Sequence, residues 1–365
     1  MDVLVVNPGS SSCKLELVDG GDRALARAVV PLTADGLDPH QLGAALDRMP
    51  PVAAAAVRVV HGGVDLRQSV LVDRALLARL DELAPLAPLH NPASLAAIRV
   101  LIARPTPVPV VACFDSAFHA TLPDEAAVYA VPWEWTRTWG LRRVGFHGWS
   151  HAYAAQRAAQ MLARPASALR LVTCHLGAGA SLAAVAGGRS VDTTMGFTPM
   201  DGLVMATRSG SVDPGILLWL QRHGHLSAAA VERALDRESG LLGLSGVSAA
   251  MERVEVEAAA GSPRSQLALA VYDHRLRAQI AAMAAAMGGL DAVVFTGGVG
   301  EGSVGVRERA AHRLGFLGIA VDSIANAGPV DQDRDVSAVE ARVRTLVVHA
   351  REAVPIAAEV RRLLG

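Results

Sequence analysis

One motif occurs twice, and it constrains the fold more than any other feature. Residues 171–188, LVTCHLGAGASLAAVAGG, read as an apolar strand, a turn of small residues, a second apolar strand and a glycine pair. Residues 3–21, VLVVNPGSSSCKLELVDGG, follow the same plan. Two copies about half a chain apart predict a duplicated fold whose halves each present a small-residue turn to phosphate. In the later copy Gly177 and Gly179, separated by one residue, allow backbone N–H groups to point into one concavity. Gly187-Gly188 reads as a hairpin turn. A polar, nearly uncharged loop follows and leads to Arg208 in Thr-Arg-Ser-Gly. A guanidinium there suits forked binding of phosphate or carboxylate, or alternatively sits solvated beside an ordinary hairpin.

A chain of 365 residues has room for two domains, and 51% hydrophobic residues supply their cores. The net charge of −1 gives no electrostatic reason to bind nucleic acid or an anionic membrane. Cys13, Cys113 and Cys174 lack metal-ligand spacing. With no basic N-terminal region or cleavage site after Met1, a reducing cytoplasm is the expected compartment. Among 34 basic residues only Lys14 is lysine, and it lies beside the first small-residue turn. A site that needs a compact ammonium would retain it there.

Further along, residues 53–60 and 108–113 read as strands, and 73–84 and 94–102 as helices. Arg58 lies in the strand that runs into His61-Gly62-Gly63. Asp115 directly follows the 108–113 strand, where open α/β sheets place ligands, although a turn or helix cap would also use an aspartate. His147 sits between Phe146 and Gly148 close to Arg142 and Arg143, with Ser150 read as the N-cap of a helix to 162. Residues 214–223, 227–236 and 266–287 are expected as helices, and 239–246 as a glycine-punctuated loop. The strand at 292–296 enters the glycine turn 297–303, and a helix follows, an arrangement that offers backbone amides to a nucleotide. A last strand at 346–348 precedes a helix opened by Glu352.

Taken together, VNPGSSSCKL, RVVHGG, LAPLHNP, FDSAFH, RRVGFHGWSH, HLGAGAS, VDTTMGFTPMDGLVMATRSGSVDPG and VFTGGVGEGS resemble the acetate kinase family of the sugar kinase, Hsp70 and actin superfamily. The strings occur in that family's order along nearly the whole chain. The resemblance implies an α/β, duplicated actin-like (ribonuclease H-like) fold of two domains with the active site in the interdomain cleft. It places the domains at 1–148 and 149–351, with 352–365 packing back on the first. It further implies reversible phosphoryl transfer from ATP to acetate, Mg²⁺ or Mn²⁺ as metal, and a homodimer.

By the same resemblance Arg58 binds the carboxylate, Arg208 stabilises the transferring group, and His147 and His175 donate to it. Asp115 holds the arginines and metal, with orientation favoured over proton removal because acetate enters as an anion. Asn7 and Glu352 support the metal, while Ser10, Ser12 and Lys14 line the phosphate path. Val60, Leu89, Phe146 and Pro199 form the pocket for the methyl group. The nucleotide is assigned to His175, Leu176, Gly177, Ala178 and Gly179, to Ala250, Met251 and Glu252, and to Gly298, Val299, Gly300, Glu301 and Gly302.

The chain departs from the family on the adenosine side. Ala178 and Gly302 stand where the family carries asparagine, Ala250 and Glu252 where it carries aspartate and arginine, and Glu352-Ala353 where it carries paired glutamates. Weaker ATP affinity or another donor, a different nucleoside triphosphate or pyrophosphate, is expected from these changes. Propionate as the acceptor and a non-catalytic, nucleotide-sensing relative are the competing readings.

Overall fold

The computed structural model describes residues 1–9, 12–33, 36–87, 90–329 and 331–365. The expected roles of Ser10 and Leu89 therefore lie outside the described residues. The chain forms two compact units, residues 1–120, 146–153 and 351–365, and residues 121–145 and 154–350. The expected boundary at 148 falls inside the short middle stretch of the first unit.

In the first unit the strands are β1 (Val3–Pro8), β2 (Ser12–Val18), β3 (Ala24–Thr33), β4 (Gly36–Leu37), β5 (Ala54–Val59), β6 (Val70–Leu71) and β7 (Val110–Phe114). They form one sheet in the order β4-β3-β2-β1-β5-β7-β6. β1 pairs antiparallel with β2 and parallel with β5, and β5 pairs parallel with β7. The continuous apolar run Val3–Val6 is explained by burial on both faces of the sheet. Leu4 and Val6 join the core beneath the helices Pro39–Asp47, Arg74–Leu83 and Asn91–Ile102. Val3 and Val5 join Ile356, Ala357 and Val360 of the C-terminal helix Ala353–Leu364.

The second unit repeats the plan with β8 (Arg170–Leu176), β9 (Ala180–Ala186), β10 (Arg189–Thr193), β11 (Ala292–Thr296), β12 (Arg334–Asp335) and β13 (Arg344–Val347). Their order is β10-β9-β8-β11-β13-β12. Three antiparallel strands followed by two parallel ones thus recur as β3-β2-β1-β5-β7 and β10-β9-β8-β11-β13. This is the duplicated α/β topology expected from the repeated hairpin. Gly187 and Gly188 have φ of 60° and 79°, the two left-handed residues that a type I′ hairpin turn requires.

Several local expectations need correction. Ser150 is not an N-cap: it lies inside the helix Gly148–Met161, fully buried, because the turn before Gly148 is already fixed against Asp115. The 239–246 segment is not loop throughout. Gly240–Ser245 is helical and ends on Gly246 at φ 73°, a left-handed cap that glycine takes without strain. Residues Gly297–Gly302 likewise close into a short helix. The strand β3 was not anticipated; its half-buried and exposed positions alternate on the edge side of β2, and apolar residues such as Leu25 and Val29 at the exposed positions obscure the pattern.

No helix among the described residues is long and apolar enough to cross a membrane. All three cysteines are buried and unpaired, and burial pushes Cys13 and Cys113 up to about 12, which keeps them as inert thiols.

Candidate active site

In the first unit, the parallel neighbours β5 and β7 deliver Arg58 and Asp115 side by side. Arg58 is the penultimate residue of β5, and Asp115 follows β7 at once, its amide donating to the Val59 carbonyl at 3.0 Å. Arg58 Nε donates to Asp115 Oδ1 at 2.7 Å and Nη2 donates to Oδ2, so the guanidinium forks onto both carboxylate oxygens. The remaining Nη1 donates to Asn7 Oδ1 on β1 at 3.0 Å. Asn7 in turn donates through Nδ2 to Glu352 Oε2 at 2.7 Å, and that oxygen lies 3.9 Å from Arg58 Nη1. Lys14 pairs in register with Asn7 across the hairpin, on the same face of the sheet.

Charge is concentrated here in little water, since Arg58 is 9% exposed and Asp115 1%. Burial alone would favour neutral Arg58, but Asp115 and Glu352 outweigh it and hold the guanidinium ionised above its ordinary value. Burial pushes the Asp115 carboxyl up, against the pull of Arg58. The residues Phe146–Gly148 press on the same aspartate. His147 adopts φ 55°, unusual for a residue with a side chain, and the Gly148 amide donates to the Asp115 carbonyl at 3.0 Å. A Cβ at Gly148 would overlap that carbonyl, so only glycine allows the helix to start there. Phe146, 1% exposed, meets the His61 ring edge-on at 5.2 Å, and Val60 is also buried.

In the second unit, the two glycine motifs meet because β8 and β11 are parallel neighbours with His175 opposite Thr296. Gly297, at φ 78°, sits so close over the end of β8 that a Cβ would lie 2.8 Å from the Leu176 carbonyl oxygen. The turn Gly177–Gly179 is closed by Gly177 donating to the Gly179 carbonyl at 2.9 Å. Ala178 accepts from Ala206 at 3.1 Å, which ties the Arg208 loop to the same turn. The helix Gly240–Ser245 braces that loop through Leu241 and Leu242 amides on the Met205 and Ala206 carbonyls. Arg208 Nη1 donates to the Pro199 carbonyl at 2.7 Å, and Asp236 lies 4.0 Å from its Nε. Burial lowers the Arg208 pKa, with Asp236 opposing.

The family model described as the acetokinase family matches residues 30–358. The chain belongs to the acetokinase family. Members are phosphotransferases whose acceptor is a carboxyl group. The chain is 48% identical over 319 residues to an acetate kinase of Cyanothece sp., covering 87% of this chain and 78% of that one. It is 40% identical to an acetate kinase of Rippkaea orientalis, with 98% of each chain covered. Among solved structures, Porphyromonas gingivalis acetate kinase matches with a TM-score of 0.90 at 35% identity, covering 100% of both chains. A propionate kinase from Francisella tularensis matches at 0.88 and 33%, covering 98% of each.

Against the acetokinase pattern, the structure gathers Asn7, Arg58, Asp115 and Glu352 in one hydrogen-bonded cluster, with His147 on the segment that packs on Asp115. It gathers His175–Gly179, the Arg208 loop and Gly297–Gly302 in another. Ala178, Gly298 and Gly302 are exposed, and nothing stands within 4 Å of a Cβ on Gly298 or Gly302. Ala250 is the N-cap of the helix Met251–Ala259, which starts with buried Met251 and exposed Glu252. Pro199 is half-buried and takes part through its carbonyl.

One residue assigned from sequence has a second, structural task, and one supporting residue, Arg307, was not identified from sequence. Glu301, assigned to the nucleotide, uses Oε1 to accept from the Gly297 and Ala350 amides, so it also closes the glycine helix from within. Arg307 is fully buried and donates to the carbonyls of Gly300, Glu301 and Asn326 and to Asn326 Oδ1. Burial, with Arg334 nearby, lowers it to about 10. Its signal was available, because Arg307 shares one helical face with the apolar Ala310 and Ala311.

Proposed function

We propose that this chain catalyses reversible, Mg²⁺-dependent phosphoryl transfer between ATP and acetate, giving acetyl phosphate and ADP. The observation that carries the reading is the buried Arg58 fork on Asp115, with Asn7 and Glu352 completing the cluster. Phosphoryl transfer needs positioning and charge stabilisation more than covalent chemistry from the protein. Arg58, fixed in one orientation, is the group that receives the acetate carboxylate or the acyl phosphate. Asp115 spends both oxygens on Arg58, which supports an orienting role over proton removal. Val60 and Phe146 supply the apolar wall for the methyl group. His147 and His175 donate to the phosphoryl oxygens, Arg208 neutralises the charge they gather, and Lys14 with Ser12 guides the phosphates.

Among the described residues no three His, Cys, Asp or Glu side chains form a ready metal site. Mg²⁺ does not demand one, because it takes one or two carboxylates and completes its shell with water and substrate phosphates. Glu352 fits that role, with Asn7 holding it in place. When bound, the metal would offset charge on the phosphates. On the donor side, the amides of Gly177–Gly179 and Gly298–Gly302 meet the polyphosphate, and Met251 and Glu252 lie toward the nucleoside. An acid at Glu252 supports weaker ATP affinity or a relaxed donor choice. We also assign a homodimer, on the ground that the helix Pro214–His223 has no buried residue and exposes Ile216, Leu218 and Trp219.

A hydroxamate assay with Mg²⁺ and acetate, run with ATP and with pyrophosphate, tests the reading. Acyl phosphate formed with ATP and abolished in Arg208→Ala supports it. Formation with pyrophosphate alone replaces the donor, propionate in place of acetate replaces the acceptor, and silence with every donor favours a nucleotide-sensing protein.

A further inference from the structure

The helix Met251–Ala259 and the glycine helix Gly297–Gly302 come from distant parts of the chain, yet both are assigned above to the donor. A polar network outside those assigned residues joins them. Glu255, one turn beyond Glu252, accepts at Oε1 from Ser303 Oγ at 2.9 Å and from Arg309 Nη2 at 3.0 Å. Ser303 immediately follows Gly302 and accepts from the Val306 amide at 3.0 Å, so it caps the next helix with the same hydroxyl. Arg309 is seated from the other side, its Nε donating to Asp273 Oδ2 at 2.6 Å. Asp273 is 4% exposed, in the middle of the long helix Pro263–Ala286. Room for the pair comes from Gly305, where a Cβ would lie 2.5 Å from Arg309 Nη1 and 3.0 Å from Glu255 Oε1.

The cost of this arrangement argues for a use. Burying Asp273 and half-burying Arg309 is expensive, and an apolar pair of similar size would serve packing as well. What an apolar pair cannot do is fix direction. The network sets the start of one helix against the end of the glycine helix through hydrogen bonds that have one geometry. We propose that Glu255 is a positioning residue of the donor site: it locks the Met251–Glu252 turn to the Gly302–Ser303 end of the glycine helix, with Arg309 on Asp273 as its anchor. The inference rests on the reading of those two segments as donor-binding. It places specificity for the donor in side chains that do not touch it.

The test measures ADP affinity by calorimetry, together with KM for ATP, KM for acetate and kcat, in the full chain. Glu255→Ala keeps a good helix former at a part-exposed position and removes both hydrogen bonds. Its ADP affinity and KM for ATP should worsen on the order of 10-fold, because displaced positioning elements weaken the aligned state. KM for acetate should stay within about twofold, as it belongs to contacts made elsewhere. Glu255→Gln, whose amide oxygen can accept both bonds, should restore the affinity. Gly305→Ala, which wedges the pair apart, should reproduce the Glu255→Ala defect and decides the matter if that variant does not fold. Gly298→Asp separates the two levels, since it places an anion on the open glycine helix. If Gly298→Asp leaves ADP binding unchanged, the donor assignment fails and this inference with it. If Gly298→Asp weakens ADP while Glu255→Ala lowers only the melting temperature, the positioning role alone is overturned.

Discussion

Two glycines in the same short helix should respond in opposite ways to one added methyl group. Gly297 has φ 78°, and its Cβ would meet Leu176 at 2.8 Å from the carbonyl oxygen and 3.1 Å from the carbonyl carbon and the amide nitrogen. Ordinary contact begins at 3.4 Å, so Gly297→Ala must push β8 and the glycine helix apart by about 0.6 Å. The left-handed backbone costs an alanine roughly 1–2 kcal/mol. Overpacking against a backbone that cannot rotate away adds about 1–3 kcal/mol. A total near 3 kcal/mol lowers the melting temperature of a domain this size by roughly 6–12 °C. Gly302, by contrast, has no left-handed φ and open space around its Cβ. Gly302→Ala should be neutral or gain up to about 1 kcal/mol from helix propensity. Thermal unfolding with and without ADP checks both. Gly297→Ala should also lose ADP-induced stabilisation, because the turn at Leu176–Gly179 moves with it. Equal melting temperatures for the two variants would refute the claim that close approach of the glycine motifs builds this site.

Asp115→Asn leaves the buried Arg58 charge without its carboxylate, and should cost about 3–5 kcal/mol of stability in a urea titration and on the order of 100-fold in kcat. Burial lowers His119 from 6.5 to about 4, with the Phe146 carbonyl opposing. The unfolded chain therefore takes up this proton first, and stability present above about pH 6.5 is lost as pH falls toward 4, by about 3 kcal/mol. Urea titrations across that range should show His119→Gln with a correspondingly flatter dependence. Glu352→Gln should raise the Mg²⁺ concentration for half-maximal rate by about 10-fold or more, while a metal response equal to the parent's would remove Glu352 from that role. Trp219→Glu places a charge on the exposed apolar helix and should shift the mass measured by light scattering from dimer to monomer.

Much of the fold was legible because its signals are local. The strands β1, β5, β8 and β11 show as apolar runs, and the turn at 187–188 shows as a glycine pair suited to a left-handed backbone. The repeat of strand, small turn and strand revealed a duplication that the matching strand orders bear out. Where the signal depended on neighbours, the reading slipped: β3 carries apolar residues on its exposed side as well, so no alternation shows, and Ser150 looks like a cap only if the packing of Gly148 on Asp115 is ignored.

The candidate site divides along the same line. Sequence alone identified glycine turns, one retained lysine, and arginine and histidine in small-residue settings, because each carries its chemistry in a few adjacent residues. Local pattern could not place Asn7 on Glu352, 345 positions away, or Arg58 on Asp115, 57 away; only the family resemblance implied that these residues work together. Those contacts exist because β1, β5 and β7 are neighbours in a sheet and the C-terminal helix returns to cover it. The Glu255–Arg309–Asp273 network likewise reads as ordinary surface charge until folding sets it against distant partners. Composition and spacing thus decide which groups are available. Only the sheet order decides which of them meet, since distance along the chain carries no information about distance across it.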